Sequence, residues 1–411
     1  MAPSIPSQRT SSYRRLFIPT IIFTIASLYK IYLHNLLILS LSIGRAVQSI
    51  EEFPFKCEKI EHPFLSTCED IWLDGSGRKL YAACGEMQGR KGWCPGGGKL
   101  NASARTGSNW ISVLDIDRPG VDGLYGLRKL KVGDSYTGDL DLNGFDVQEI
   151  ANGVLRFWLI NHRPPVDAAT GELLDASKVG ANSTIEVFDL GKSSEILEHV
   201  KTIVSDAIIT PNNLVVEEDG DAFLVTNDRS RKFGFLRDLE ILVGGGNVAR
   251  CCTGSGDCQI VAKQGFHGPN GITRGQDGLF YVVQSFAGKV SIHELVDGQF
   301  NWIDEVDTGF LMDNLSVDSE GNIFVAAFPE MMGVMRSFNH PGILNVAATV
   351  LQIKRTGEVG GKAQYEVEKM LEDKDGKMLS TSTTAAYDVQ TKRLFIGGIM
   401  APHVTICKQR A

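Results

Sequence analysis

The chain has 411 residues, 43% hydrophobic and 22% charged, which reads as globular and is long enough for one large domain plus a tail. The formal net charge of −8 is unevenly spread: the first fifty residues carry five basic residues and no acid, leaving 36 basic against 49 acidic residues beyond them. So acidic a body lacks the Lys and Arg that phosphate contacts need. With no zinc-finger spacing and no basic helix either, nucleic acid is excluded as a partner.

Residues 1–15 form a short basic tail. Residues 16–44, "LFIPTIIFTIASLYKIYLHNLLILSLSIG", are the one long apolar segment. A spanning helix needs about 20 such residues, and Lys30 and His34 interrupt this run. Arg14 and Arg15 just before it favour a cytoplasmic N-terminus, with the rest of the chain in the lumen or outside. An uncleaved signal anchor, giving membrane association, is the expectation. A signal peptide cleaved near "SIGRAVQS" is the rival.

From residue 45 to 411 one cadence recurs: a polar pair, a short apolar run, a turn, then a β-rich strand. The copies are "CEDIWLDGSGRKLYAACG" from Cys68, "LNGFDVQEIANGVLRFWLIN" from Leu142, "PNNLVVEEDGDAFLVTND" from Pro211, "PNGITRGQDGLFYVVQS" from Pro269, "MDNLSVDSEGNIFVAAF" from Met312 and "STTAAYDVQTKRLFIGG" from Ser382. Each reads as a β-hairpin around a Gly/Asp/Asn turn. Their spacing, about 45–75 residues, leaves room for a four-stranded sheet. Six such units predict an all-β, six-bladed β-propeller. Equivalent positions then converge on one axis, bringing Glu69-Asp70, Asn143, Asn212-Asn213, Asn270 and Asp313-Asn314 together. Oxygen donors with few Lys or Arg among them suit calcium. Taken singly, each pair reads as a turn residue bonding its own backbone; five in register point to a metal tunnel.

Eight cysteines suit an oxidising compartment. Cys57 opens the propeller and Cys407 ends it, so joining them would close the ring; Cys84 and Cys94 bracket a loop, and Cys251, Cys252 and Cys258 crowd another. Disulfides fit these better than zinc, and the connectivity stays open. Asn101 and Asn182 head glycosylation sequons in expected loops; Asn314 heads a third that a tunnel would hide.

The segments "CEDIWLD", "NGFDV", "LINH", "PNNLVV…TND", "GPNGI", "DNLSVD" and the late "IC" resemble the paraoxonase/arylesterase family in order and spacing, from Cys57 to Cys407. The resemblance implies a propeller with two calcium ions in its tunnel, and hydrolysis of aryl esters and lactones. It puts the catalytic ion on Glu69, Asn212, Asn270, Asp313 and Asn314, and the structural ion on Asp70, Asn213 and a carbonyl near Phe145. It also implies a Cys57–Cys407 disulfide. Water is the expected nucleophile, with calcium polarising the carbonyl.

Two positions depart from the family pattern. Asn143-Gly144 stands where the family has a His-Gly pair supplying the general base, and an amide cannot take a proton at neutral pH. The family's supporting histidine matches His162, which without its partner reads as a hydrogen-bonded histidine at a strand end; His162 acting alone, or Glu69, are the remaining candidates. Asn213 replaces an aspartate and weakens the structural site. His267 is expected near the tunnel mouth, and His62, His199, His293, His340 and His403 in loops or at the surface. Residues 328–344, apolar and Met-rich, read as pocket wall, core or membrane contact. No Gly-x-Ser-x-Gly elbow supports a serine hydrolase. Two other readings stand beside the calcium esterase: a gluconolactonase- or strictosidine-synthase-like propeller enzyme, and a calcium-stabilised binding propeller with little catalysis, which Asn143 favours.

Overall fold

The computed structural model describes residues 11–34 and 36–410; the first ten residues of the expected basic tail lie outside it. Six four-stranded antiparallel blades follow one another along the chain. The inner strands are Asp70–Asp74, Leu142–Glu149, Pro211–Val216, Pro269–Arg274, Leu311–Val317 and Ser382–Asp388, each packed on the inner strand of the next blade. These are the six repeats, in register to within two residues. The second blade gains a short fifth strand, Lys131–Val132, parallel to Ile196–Ile203.

Second strands are apolar on both faces because each sheet is covered on both sides. Ile323–Phe328 is buried throughout, as is Ala222–Asn227. Between the second and third blades lie Trp158, Ile160, Val187, Leu214 and Phe223, and a side chain of this size contributes about 1.5–3 kcal/mol when fully buried. Outer strands alternate instead, as in Lys362–Asp373, whose outer face meets water.

The ring closes with strands from both ends of the chain. Phe55–Glu61 pairs antiparallel with His403–Gln409, placing Cys57 opposite Cys407, and a disulfide joins them. Two more disulfides are Cys68–Cys84 and Cys251–Cys258, while Cys94 and Cys252 are free. The bracketing of a loop by Cys84 and Cys94 is thus not a pairing: Cys84 ends a strand directly facing the turn that carries Cys68. Three disulfides belong to a protein of an oxidising compartment.

Residues 16–44, expected as the membrane anchor, begin in a helix. Helix Ser11–Leu28 contains Pro19 and gives way to wider π-type turns at Tyr29–Leu33 and Leu36–Ser40. Among the described residues no helix is long and apolar enough to cross a membrane. The later turn docks on the propeller, where Leu39 packs against Leu311, Phe328 and Val334.

Candidate active site

In blades two to five, the polar pair occupies a β-bulge. Asn143-Gly144 together face Ile160, Asn212-Asn213 face Thr226, Asn270-Gly271 face Val283, and Asp313-Asn314 face Ala326. A bulge sets two residues against one and re-aims a side chain, so a polar pair can turn to the axis inside an otherwise apolar strand. The bulges nest closely. A Cβ on Gly144 would stand 2.6 Å from the Asn212 carbonyl oxygen, and one on Gly271 would stand 2.6 Å from Asn314 Cα.

The bulges bring the expected residues to one place. Glu69, Asp70, Asn143, Asn213 and Asn314 are buried, with Asn212 and Asp313 8% exposed. Asn314 Nδ2 donates to Glu69 Oε1 at 3.0 Å, and Asn314 Oδ1 accepts from Asn213 Nδ2 at 2.7 Å. Asp70 accepts from Thr384, from its own strand and from the Phe145 backbone N–H at 3.2 Å. Thr383 donates to the Glu69 carbonyl, so the reduced polar pair of the sixth repeat ties the first blade in place.

Buried oxygens without a hydrogen-bond donor among the described residues include Glu69 Oε2, Asn212 Oδ1 and Asn270 Oδ1. All three residues line one cavity of about 380 Å³, together with Asp313 and Asn143. Burial, and then the charge of Asp313, pushes the Glu69 carboxyl up; Arg90 pulls the other way. Burial also raises Asp313, against the Asn270 amide, and raises Asp70, to which Glu69 adds. Buried carboxylates cost free energy unless paired or coordinated. Open carboxylate and amide oxygens are the donors a hard cation takes, so Glu69, Asn212, Asn270 and Asp313 fit calcium. Among the described residues no three His, Cys, Asp or Glu side chains would hold an ion unaided; the set needs its amides.

The second donor set does not fit. Asn213 Oδ1 accepts from the Leu214 backbone N–H, while its Nδ2 donates to Asp70 Oδ2 at 3.3 Å as well as to Asn314. An N–H donor stands where an ion would need an oxygen.

Asn143 Nδ2 donates to the Asn212 carbonyl at 2.8 Å, holding the neighbouring bulge. His162 lies next to the end of its strand, with Nδ1 2.9 Å from Ser183 Oγ and Nε2 buried without a partner among the described residues. Its ring lines small side cavities with Arg90, Trp93 and Lys232 rather than the main one. Burial, and then Arg90, pushes its pKa down to about 3, leaving it neutral at physiological pH.

The cavity wall includes Phe328, Met331, Val334, Met335 and Phe338, so the Met-rich segment is pocket wall. Asp228 and Arg229 also line the cavity and were not singled out in the sequence. They follow directly after the second strand of the third blade, and the "TND" run was the visible signal. Gly268 reaches the cavity, whereas His267 turns away, beneath Gly244. Three histidines expected at the surface belong to strands instead. His293 and His403 are buried, and His199 reaches Glu186 at 3.4 Å.

Comparison with known proteins follows this geometry. The family model described as Arylesterase matches residues 170–407. The chain is similar to serum paraoxonase/arylesterase 1 of Rattus norvegicus, 28% identical over 57% of this chain and 63% of the relative. It is also similar to serum paraoxonase/lactonase 3 of Mus musculus, 28% identical over 53% of this chain and 59% of the relative. The matches thus span about three fifths of those relatives' length. Among solved structures, a luciferin-regenerating enzyme aligns with a TM-score of 0.49 at 12% identity, covering 86% of this chain and 95% of its own. With its family model spanning more than half of the sequence, the chain belongs to the arylesterase family.

Proposed function

We propose that the protein is a calcium-dependent hydrolase of esters or lactones, with water as the nucleophile. One observation carries this reading: Glu69 Oε2, Asn212 Oδ1 and Asn270 Oδ1 are buried, lack donors among the described residues and line the same apolar-walled cavity as Asp313. Bound there, calcium would polarise the substrate carbonyl and offset the negative charge that develops on its oxygen. Glu69 and Asp313 balance the ion's charge, and Asn212 and Asn270 add oxygens without adding repulsion. Asn314 braces Glu69. Asp70, Asn213 and the strand at Phe145 form a hydrogen-bonded plug in place of a structural ion, so a single calcium is expected.

The water's proton needs an acceptor. Asp228 is the candidate on the cavity wall, 6% exposed and with Oδ1 free of any donor among the described residues. His162 and Glu69 are the alternatives, the first set behind the wall and the second committed to the metal.

A panel of aryl esters and lactones, assayed with and without calcium and paired with metal analysis, tests the reading. Calcium-dependent turnover supports it. A protein that retains calcium and hydrolyses nothing is instead a binding propeller, the reading that Asn143 favours.

The N-terminal segment, whose helix exposes Ile18, Ile22, Phe23 and Ile25, is proposed to hold the propeller to a membrane on its lumenal or outer side. Exposed Asn101 and Asn182 would then carry glycans. Release by carbonate extraction, with both sites bare, would refute this.

A further inference from the structure

Two guanidinium groups share the cavity, and neither is fully satisfied. Arg229 is 6% exposed, yet its Nε has no acceptor among the described residues. Its Nη1 donates to the carbonyl of the residue before it at 2.7 Å, and Asp228 Oδ2 stands 3.6 Å away, too far for a hydrogen bond. The Arg229 guanidinium carbon lies over the Phe286 ring, 4.7 Å from its centroid. Gly268 makes room for that contact, since a Cβ there would meet Phe286 at 2.5 Å. Arg237 donates through Nη2 to the Pro95 carbonyl at 3.2 Å and through Nη1 to Asp238 Oδ1 at 3.5 Å, while its Nε is buried without an acceptor among the described residues. Both arginines line the cavity that holds Glu69 and Asp313.

A buried N–H without an acceptor is costly, and a guanidinium held over an aromatic ring presents a planar donor edge matched to a carboxylate. The remaining wall is apolar, with Met331, Met335 and Phe338. We infer that Arg229, assisted by Arg237, binds a carboxylate on the substrate, so that the preferred ester or lactone has an apolar body and a free acid group away from the scissile carbonyl. This inference rests on the hydrolase reading and narrows its substrate class. It also implies a dependence on calcium, because Glu69, Asp313 and Asp228 line the same cavity and without a cation would repel an anion from it.

Mono-para-nitrophenyl glutarate and its methyl ester differ by one negative charge and share a leaving group. Calcium-loaded protein is expected to show the lower KM for the free acid. Arg229→Met, which keeps the apolar stem on Phe286, is expected to lower the acid-over-ester ratio of kcat/KM about ten- to a hundredfold. Arg229→Lys should recover part of the ratio, and Arg237→Met should lower it by a smaller factor. Equal KM for the two esters in wild type, or an equal loss for both in Arg229→Met, overturns the inference. If neither ester is hydrolysed, the hydrolase reading fails separately, and thermal shifts with glutarate against dimethyl glutarate decide. Stabilisation by glutarate that is lost in a folded Arg229→Met variant upholds the anion site; no stabilisation of wild type overturns it.

Discussion

The amide nitrogen of Asn213 donates to Asp70 Oδ2 at 3.3 Å, joining the third blade to the first inside the ring. With Asn314 Oδ1 accepting from the same nitrogen at 2.7 Å, one amide group satisfies two acceptors that a cation would otherwise draw on. Asn213→Asp removes both donated bonds and adds a charge beside Asp70. Calcium affinity rises with ligand charge, so the variant is expected to bind about one calcium more per chain, and to be less stable than wild type in EGTA but not in excess calcium. Metal analysis after gel filtration checks this; an unchanged calcium content would show that the second set is closed for another reason.

The closing disulfide should matter far more than its shortest counterpart. Cys57–Cys407 spans 350 residues and Cys251–Cys258 spans seven. Loop-closure entropy gives about 5–6 kcal/mol for the first and about 2 kcal/mol for the second. Cys57→Ser with Cys407→Ser is therefore expected to shift the denaturant midpoint at least twice as far as Cys251→Ser with Cys258→Ser. Equal shifts would mean that the paired strands Phe55–Glu61 and His403–Gln409 hold the ring shut unaided.

The blades were legible because each inner hairpin repeats its polar pair and apolar run, and all six began within two residues of the expected position. What made the pairs converge was not legible. Asn212 and Asn213 look like consecutive strand residues that should face opposite ways, and the bulge opposite Thr226 depends on pairing with another strand. The histidines were misplaced for a related reason. His293 and His403 lie in third strands, which are largely buried and so carry little alternation, and stacking of His293 on Phe300 is a contact made only by the folded sheet. Asp228 and Arg229 escaped notice because their position just after a strand carries no periodicity. The apolar run 16–44 was visible, but composition alone did not show its break into helix and turns.

Calcium binding should release protons and strengthen with pH. Burial and Asp313 push Glu69 up to about 8, above its ordinary value of 4.5. Between those values the unfolded chain has lost this proton and the metal-free fold retains it. Metal-free stability therefore falls as pH rises through that window and is highest below it. A bound cation needs the carboxylate form and reverses the trend. Asp70 and Asp313 face Glu69 with the same sign, and Arg90 opposes them. The gain in melting temperature from calcium is thus expected to be small near pH 5 and large near pH 8. Asp313→Ala should abolish that gain, whereas a surface replacement such as Asp122→Ala should leave it intact. A gain independent of pH would place the ion away from Glu69.

The proton acceptor can be located with two substitutions. Asp228→Asn leaves the size of the wall unchanged and removes a basic oxygen. Loss of a general base costs about a hundred- to ten-thousandfold in rate, so kcat should fall by that factor while KM and calcium content hold. Asn143→His tests the other side. Asn143 Nδ2 spends its hydrogen bond on the Asn212 carbonyl at 2.8 Å, and a histidine can keep that bond through Nδ1–H while offering Nε2 to the cavity. The variant is expected to raise kcat at near-constant KM and to gain a limb in its pH profile near 6.5, or lower where the calcium charge disfavours the imidazolium. The double variant Asp228→Asn with Asn143→His separates the roles. Restored turnover shows that the histidine can replace Asp228 as base. If Asp228→Asn leaves kcat unchanged in the wild-type background, the proton goes elsewhere; loss of activity in His162→Ala with full calcium content would then give that role to the buried imidazole.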